Sequence, residues 1–303
     1  MEYDIIIVGA GTAGLTAAIY GRRAGKTVLV FEALNYGGQI INTLSIENYP
    51  CEPGISGFDY ATKIYDQAIN LGAEIKFEKV INIAIDGDIK IIKTAEGEYR
   101  AKAVILATGS ENRKLGLERE QDLTGRGISY CATCDGAFFK NKVVAVAGGG
   151  NTALEDALYL SDVAKKVYII HRRDSFRAEE ALVSQIKTRS NVEMVLNANV
   201  TELLGEQMLT GVVVTFTDGN KRTLDVDGLF VAVGRIPENQ NFANLVELDN
   251  AGYVKAGEDC HTNIDGIFVA GDGRTKMVRQ LVTAASDGAI SANEAVKYIN
   301  NLK

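Results

Sequence analysis

The chain has 303 residues, of which 46% are hydrophobic and 23% are charged, and its formal net charge is −7. These values are ordinary for a globular protein of about two domains, and the acidic balance disfavours a nucleic-acid-binding protein. No apolar stretch approaches the roughly 20 residues of a membrane-spanning helix. The acidic N-terminal residues and the four cysteines argue against a signal peptide and a secreted disulfide scaffold, so we expect a cytoplasmic protein.

Residues 2–33 predict a strand, a glycine turn, a helix and a second strand. Gly9, Gly11 and Gly14 form GxGxxG directly after an apolar run. The first glycine makes the turn, the second admits a pyrophosphate, and the third lets the helix pack on the strand. Glu32, at the end of the second strand, is placed to accept hydrogen bonds from a ribose. This copy is therefore expected to bind a dinucleotide that ends in an unphosphorylated ribose.

The segments between and after the nucleotide motifs predict further sheet structure. Residues 74–100 alternate apolar and polar side chains around "DGD" and predict antiparallel strands. Residues 102–110, 227–235 and 265–273 each predict a buried strand, and residues 277–302 end in an amphipathic helix.

Residues 141–173 repeat the first design, with Gly148, Gly150 and Ala153 as GxGxxA. The second strand of this copy is followed by basic residues in place of an acid. They are His171, Arg172 and Arg173, with Arg177 one helical turn further on. An arginine cluster at this position suits the 2′-phosphate of NADPH, and the alternative is a solvated basic corner. Two nucleotide sites in one chain favour a hydride passed from one cofactor to the other, and FAD is the natural ligand of the first motif because it accepts a hydride and passes electrons on.

The position of the repeat predicts the domain organisation. We expect an α/β protein with two Rossmann-like, three-layer dinucleotide-binding domains. The FAD-binding domain comprises residues 1–112 and 245–303, and the NADPH-binding domain, residues 113–244, is inserted into it. Two chain crossings between domains permit one domain to swing against the other.

The stretch "CATCDG" places Cys131 and Cys134 in the second domain. A zinc site needs four ligands, and Cys51, Cys260 and the two histidines lack suitable spacing. A structural disulfide closing so short a loop removes little chain entropy. A redox-active pair fits the spacing and the two nucleotide motifs best.

The residues after the cysteines suggest how the pair is activated. "DGAFF" is expected to open a helix or tight turn whose amides lower a thiol pKa. Asp135 directly follows Cys134 and is placed to move a proton to or from a departing thiolate. The alternative is an aspartate that only caps a turn or helix.

Several stretches together resemble one known family. They are "GAGTAGLTAAIY", "GGQI", "IENYP", "ATGS", "CATCDG", "GGGNTALEDAL", "HRRDSFRA", "VAVGRIPEN" and "FVAGDGRTKMVRQLVTAASDGA", in that order from end to end. "CATCDG" is the most specific of them because it lies between the two nucleotide motifs. The chain resembles the low-molecular-weight, bacterial-type thioredoxin reductases, which use FAD and NADPH.

The resemblance implies a larger set of cofactor contacts. Those to FAD are Gly9, Gly11, Gly14, Glu32, Gly37, Gly38, Gln39, Asn48, Asp272, Arg279 and Gln280. Those to NADPH are Gly150, Asn151 and Thr152, with His171, Arg172, Arg173 and Arg177 around its 2′-phosphate end.

The resemblance also implies the order of the reaction. Hydride passes from NADPH to FAD, and the flavin reduces the disulfide through Cys134. Cys131 then attacks the disulfide of thioredoxin, with Asp135 as proton donor, and the family works as a homodimer. Cys51 and Cys260 have no role in it, and we expect both to be buried small side chains.

Two other functions remain open at this point. The first is a reductase with a different partner, which is either another small dithiol protein as substrate or ferredoxin in place of NADPH as electron donor. The arginine cluster argues against ferredoxin. In the second, the chain is a nucleotide-binding redox sensor with negligible turnover. Assay with NADPH and a dithiol protein separates a reductase from a sensor.

Overall fold

The computed structural model describes residues 2–43 and 45–302. The chain divides into two compact units, one made of Met1–Glu111 with Ile236–Lys303 and the other of Asn112–Arg235. The second unit is therefore inserted into the first. Its end at Arg235 differs from the sequence-based boundary at residue 244. The assignment of FAD to the first unit and NADPH to the second stays a prediction.

The strands lie in both units and are numbered in chain order. They are β1 (Glu2–Val8), β2 (Val28–Phe31), β3 (Glu74–Lys76), β4 (Asn82–Asp86), β5 (Ile89–Lys93), β6 (Glu98–Leu106), β7 (Ser110–Asn112), β8 (Ile128–Ser129), β9 (Val143–Gly148), β10 (Lys166–His171), β11 (Val192–Leu196), β12 (Ala198–Leu204), β13 (Gly211–Phe216), β14 (Lys221–Asp225), β15 (Gly228–Ala232), β16 (Arg235–Pro237) and β17 (Ile267–Val269).

The α-helices are α1 (Thr12–Arg23), α2 (Gly57–Asn70), α3 (Glu120–Leu123), α4 (Ala132–Asp135), α5 (Asn151–Val163), α6 (Glu180–Lys187) and α7 (Leu281–Asn301). Short 3₁₀ turns cover Gly38–Asn42, Gly136–Phe139, Gln240–Phe242 and Gly271–Gly273. Over the described ranges, 2–43 and 45–302, no helix has the length and apolar character to cross a membrane. The helix predicted near the C-terminus is confirmed as α7.

The first unit is built on a sheet with the order β3-β2-β1-β6-β5-β4, and β17 also pairs with β6. β1 is parallel to β2 and to β6. Alternate residues of a strand face opposite sides of a sheet. Ile5 and Ile7 accordingly pack with α1 and α7, whereas Ile6 and Val8 pack with β4 and β5. The sheet thus has a buried core on each face.

The second unit repeats this plan with the order β11-β10-β9-β15-β8, and β12, β13 and β14 form a separate sheet. Val144 and Val146 of β9 pack with α5 and α6, whereas Ala145 and Ala147 pack with the β12–β14 sheet. The prediction of an α/β fold with two Rossmann-like units is confirmed. In each unit the glycine loop follows the carboxyl end of a central parallel strand, where α/β proteins bind ligands.

The prediction of antiparallel strands over residues 74–100 is partly wrong. β4 and β5 are antiparallel around Gly87, and β5 is antiparallel to β6, as expected. β3, however, runs parallel to β2. The chain reaches β3 from β2 through α2, and such a crossover returns the chain parallel to the strand it left. Alternation of side chains does not encode this direction.

A buried ion cluster joins α7 to the Gly271–Gly273 turn. The Asp287 carboxylate accepts hydrogen bonds from Arg274 Nε (2.8 Å) and Nη2 (2.9 Å), from Lys276 Nζ (2.8 Å) and from the Gly271 amide (2.9 Å). Burial by itself raises the pKa of Asp287, but the hydrogen bonds from Arg274 and Lys276 outweigh it and lower that pKa. The ionised carboxylate therefore stabilises this turn.

We expect Asp287→Ala to destabilise the protein by about 3–5 kcal/mol, because it removes the buried carboxylate that pairs with both Arg274 and Lys276. A carboxyl group whose pKa is lowered by folding stabilises the folded protein at pH values above its unfolded-state pKa, which is 3.8 here. This stabilisation is lost as the pH falls through the folded-state pKa. Urea unfolding midpoints at several acidic pH values measure the effect. The control is Glu247→Gln, which removes an exposed partner of Lys255; equal effects of the two variants would refute the prediction.

Candidate active site

The first glycine loop connects β1 to α1. A Cβ atom at Gly9 would overlap the carbonyl oxygen of Ala107, and one at Gly14 would overlap the carbonyl oxygen of Gly9. At Gly11 the nearest atom to an added Cβ is the Gly37 oxygen, 4.0 Å away. The outer glycines are therefore required by the fold, whereas the middle one faces open space at the N-terminus of α1. The open space at the middle glycine lets a pyrophosphate approach the backbone and the N-terminus of α1 closely.

We expect Gly11→Val to fold but to bind FAD roughly tenfold or more weakly, a loss of about 1.4 kcal/mol or more, since its side chain occupies the open space. Gly14→Ala is the contrasting variant, and it should destabilise the fold by about 1–3 kcal/mol or more because of overpacking. Flavin titration of apoprotein and thermal unfolding separate the two effects. Unchanged flavin affinity in Gly11→Val would show that this space does not receive the cofactor.

Glu32 lies after β2, and its carboxylate accepts hydrogen bonds from the amides of Ala10 and Leu34, each at 2.9 Å. The side chain thus fixes the glycine loop to the strand end. Each carboxylate oxygen has a second lone pair. A ribose hydroxyl can therefore still donate to Glu32, as the sequence predicts.

The structure places other predicted FAD residues near this loop or near one another. The Gly37 amide donates to the Ala10 oxygen at 2.8 Å, which brings the Gly37–Gln39 segment to the glycine loop. A Cβ at Gly271 would lie 2.9 Å from the Ala13 Cβ, so the turn that carries Asp272 lies beside the first turn of α1.

The remaining predicted FAD residues are grouped around the start of α7. Asn48 Nδ2 donates to Gln280 Oε1 at 3.0 Å, and Gln280 is the N-cap of α7. The Arg279 guanidinium lies 4.2 Å from the ring centre of Tyr253. These contacts bring Asn48, far away in sequence, to the Arg279–Gln280 pair.

The second glycine loop connects β9 to α5. Like the first loop, it has one glycine that the fold requires and one that faces open space. A Cβ at Gly148 would overlap the carbonyl oxygen of Ala232, whereas nothing lies within 4 Å of one at Gly150. Asn151 pairs with Glu179, donating from Nδ2 to Oε1 (3.0 Å) and accepting from the Glu179 amide (2.9 Å). Thr152 is exposed in the first turn of α5. The open Gly150 position fits a second dinucleotide.

The arginine segment lies against this second loop, since the Arg177 amide donates to the Gly149 oxygen at 2.8 Å. Arg172, Arg173 and Arg177 are all exposed. Residues 172–175 form bends, and Phe176 and Arg177 are irregular, so the expectation that Arg177 follows one helical turn on is wrong. The backbone hydrogen bond to Gly149 pulls this segment back over the glycine loop.

His171 differs from the arginines because its side chain is buried. Its Nε2 lies 3.1 Å from the Ser175 oxygen, and its ring is stacked on Phe176. Burial, aided by the charges of the neighbouring arginines, lowers the pKa of His171. The imidazole is therefore neutral near pH 7 and shapes the loop without adding positive charge.

Cys131 and Cys134 form a disulfide in the second unit, with their Cα atoms 5.3 Å apart. Cys131 is the N-cap of α4, which contains Cys134. The one-turn helix α4 begins directly after Cys131, and the Asp135 amide donates to the Cys131 oxygen at 3.1 Å. The chain continues from Asp135 into the 3₁₀ turn Gly136–Phe139, so the helix or tight turn expected at "DGAFF" is present. Both cysteines are half-buried. Each sulfur is bonded to its partner, which fits an electron-carrying pair.

Asp135 lies beside this disulfide and is held by a serine. Ser129 Oγ donates to Asp135 Oδ2 at 2.6 Å and accepts from the Cys131 amide at 3.1 Å. Burial raises the pKa of Asp135, and the Ser129 hydrogen bond opposes part of this shift. Asp135 makes no side-chain cap on the turn that follows it. Its environment favours a carboxyl group that exchanges protons over one that only caps a turn.

Comparison with known proteins places this geometry in a family. The sequence profile of the pyridine nucleotide-disulphide oxidoreductase family matches residues 3–289. The chain is 43% identical to the thioredoxin reductase of Listeria monocytogenes, over 99% of this chain and 95% of that protein. It is 40% identical to that of Bacillus subtilis, over 99% and 96%. The chain belongs to the thioredoxin reductase family.

Solved structures of the family agree with this assignment. The thioredoxin reductase of Streptococcus pyogenes has a TM-score of 0.94 and 38% identity, with 99% of each chain covered. The thioredoxin reductase of Giardia duodenalis has a TM-score of 0.93 and 35% identity, also over 99% of each chain. The protein is thus an NADPH-dependent oxidoreductase that uses FAD, and both glycine loops fit these dinucleotides.

Sequence reasoning missed two residues that contact α4. One is Ser129, and the other is Asp156 of α5, which accepts a hydrogen bond from the Ala132 amide. Burial, with a smaller contribution from Glu155, raises the pKa of Asp156 to about 7. A serine and a second carboxylate in a helix give no spacing signal, so only the fold brings them to the redox pair.

The two other cysteines differ in their surroundings. Cys260 is buried, as expected, and its burial raises the pKa of the thiol to about 12. Cys51 is exposed, so the expectation of a buried side chain is wrong there. It lies in a surface turn directly after the exposed Pro50 and has a left-handed backbone (φ 69°).

Proposed function

We propose that this protein reduces the disulfide of thioredoxin with electrons from NADPH. The observation that carries the proposal is the Cys131–Cys134 disulfide, placed at the start of α4 in a chain with two dinucleotide loops. The names and similarity of the relatives support thioredoxin as the substrate. Bound NADPH and FAD supply the two electrons that convert this disulfide to two thiols.

The chain's own residues hold these groups. Gly11, the N-terminus of α1 and Glu32 would receive the adenosine half of FAD, with Gly37, Asp272 and the Asn48–Gln280 pair further along it. Gly150, Asn151 and Thr152 would receive the pyrophosphate of NADPH. Arg172, Arg173 and Arg177 would hold its 2′-phosphate, because planar guanidinium groups bind phosphate through paired hydrogen bonds.

The exchange with thioredoxin proceeds in two steps. The Cys131 thiolate attacks one sulfur of the thioredoxin disulfide, so that an intermolecular disulfide forms and one thioredoxin thiolate leaves. The Cys134 thiolate then attacks the Cys131 sulfur, which re-forms the Cys131–Cys134 bond and releases the second thiolate. Asp135 donates a proton to a leaving thiolate, and its raised pKa keeps more of it protonated for this purpose.

The same proposal includes a homodimer in the cytoplasm. The closely spaced Cys131–Cys134 pair supports the cytoplasmic assignment, because disulfides in the reducing cytoplasm are usually catalytic. The resemblance to the family supports the dimer. Sedimentation equilibrium of the purified flavoprotein tests it, and a monomer at micromolar concentration would exclude a stable dimer.

Steady-state assay tests the activity. NADPH oxidation in the presence of oxidised thioredoxin should proceed at roughly 1–10³ s⁻¹, the usual range for enzymes, and should stop when thioredoxin is left out. A glutaredoxin-like protein serves as the rival substrate, and reduced ferredoxin in place of NADPH serves as the rival electron donor. Bound cofactors with negligible turnover on every dithiol protein would contradict the proposal and favour a redox sensor.

A further inference from the structure

We propose that Ser129 is a positioning residue for proton transfer at the Cys131–Cys134 pair, because its hydroxyl group holds the Asp135 carboxyl group against the first turn of α4. The inference rests on the proposed function in so far as Asp135 is the acid of the exchange reaction. It adds a residue that lies outside the "CATCDG" stretch and has no redox chemistry of its own.

The sheet fixes the position of Ser129. β8 is parallel to β15, with Ser129 opposite Phe230, and the side chain of Ser129 is only 5% exposed. β8 ends at Ser129, and α4 begins three residues later at Ala132. The hydroxyl group therefore lies between the edge strand of this sheet and the start of the redox helix.

The hydrogen bonds of Ser129 link the acid to the first cysteine. Its Oγ lies 2.6 Å from Asp135 Oδ2, 3.1 Å from the Cys131 amide and 3.3 Å from the Cys131 oxygen. A hydroxyl has one proton to donate. The short distance assigns that proton to Asp135, since hydrogen bonds to a carboxylate are the shorter and stronger ones. The Cys131 amide donates back to the same oxygen and fixes its orientation.

Other ionisable groups lie near this pair but contact different atoms. On α5, Asp156 accepts from the Ala132 amide, with Glu155 and Arg235 near it. Beside β8, Tyr130 donates to Glu120 at 2.8 Å. Tyr159 of α5 packs against Gly136.

Removal of the Ser129 hydroxyl has two consequences for Asp135. The ionised carboxylate loses a donor that stabilises it, so the pKa of Asp135 rises further. The carboxyl group also loses the contact that fixes its orientation. Ser129→Ala should therefore transfer protons more slowly, and its activity should be lost at a higher pH than in the native enzyme.

The test uses the holoenzyme and single-turnover reduction of thioredoxin by the pre-reduced enzyme across a pH series. Ser129→Ala should lower the rate roughly tenfold, which is a fraction of the roughly 10²–10⁴-fold that a general acid contributes, and should shift the alkaline limb of the profile to higher pH. Ser129→Thr keeps a hydroxyl group and should restore both. Ser161→Ala removes another buried serine hydroxyl of the same unit, bonded to the Leu158 oxygen, and should change neither.

A double variant establishes whether Ser129 acts through Asp135. In an Asp135→Asn background, Ser129→Ala should have little further effect on rate or profile. Additive losses, or a slower Ser129→Ala with an unshifted alkaline limb, would overturn the inference and leave Ser129 a merely structural residue.

A second readout avoids thioredoxin altogether. In a Cys51→Ser background, which removes the exposed free thiol, the rate at which iodoacetamide alkylates the reduced Cys131–Cys134 pair follows the ionisation of these thiols. Ser129→Ala should shift this pH profile through Asp135. Should the native enzyme fail to reduce thioredoxin while this shift is present, the proposed substrate is wrong but the role of Ser129 stands. An unshifted alkylation profile overturns the role of Ser129 whichever protein is reduced.

Discussion

Cys134→Ser is expected to lower turnover with thioredoxin roughly 10³-fold or more, as loss of an essential nucleophile does in other enzymes. Cys134 is bonded to Cys131, and a serine hydroxyl can neither form a disulfide nor carry two electrons. The fold should be intact, because serine is smaller than the half-buried cysteine it replaces. Steady-state oxidation of NADPH with thioredoxin measures the loss.

The matched control for this variant is Cys51→Ser, which changes an exposed cysteine of the other unit. It should retain nearly native turnover. If Cys134→Ser kept turnover within about tenfold of native, a loss far smaller than removal of an essential nucleophile causes, the disulfide would not be on the path to thioredoxin.

Replacement of Arg172 and Arg177 by alanine is expected to change the choice of nicotinamide cofactor. Both side chains are exposed, and the Arg177 backbone is fixed to the second glycine loop. A hydrogen bond to a charged group contributes about 1.5–3 kcal/mol, so each arginine should account for roughly 10–150-fold in kcat/KM for NADPH. NADH lacks the 2′-phosphate, and its kcat/KM should change little.

The control is Arg189→Ala, since Arg189 is also an arginine of the second unit but pairs with Asp162 at 2.6 Å. It should leave both cofactors unaffected. Equal losses with NADPH and NADH in the Arg172 and Arg177 variants would show that the segment is a solvated basic corner.

The two nucleotide-binding motifs could be predicted from the sequence, because neighbouring residues in the chain determine their turns and strands. Gly9, Gly14 and Gly148 must be glycine for the turn itself to form, and the apolar runs beside them become the central strands. The same local reasoning placed the redox pair, since Cys131 and Cys134 are close enough in sequence to bond without help from the fold.

Features set by tertiary contacts were harder to predict. The parallel direction of β3 depends on the path through α2, and the burial of His171 depends on its packing against Gly149. Ser129 reaches Asp135 only because β8 ends beside the first turn of α4. Asp156 acquires its raised pKa from burial under that turn. None of these relations follows a sequence spacing.

The most direct test of the whole account is an anaerobic titration of the purified flavoprotein, in which loss of oxidised-flavin absorbance is followed. A reductant of known stoichiometry should be consumed at about two equivalents per flavin, because the Cys131–Cys134 disulfide takes up a second electron pair, and Cys134→Ser should reduce this to about one. NADPH in parallel should bleach the flavin. About one equivalent in the native protein would mean that the cysteines exchange no electrons with the flavin, and the account would fail.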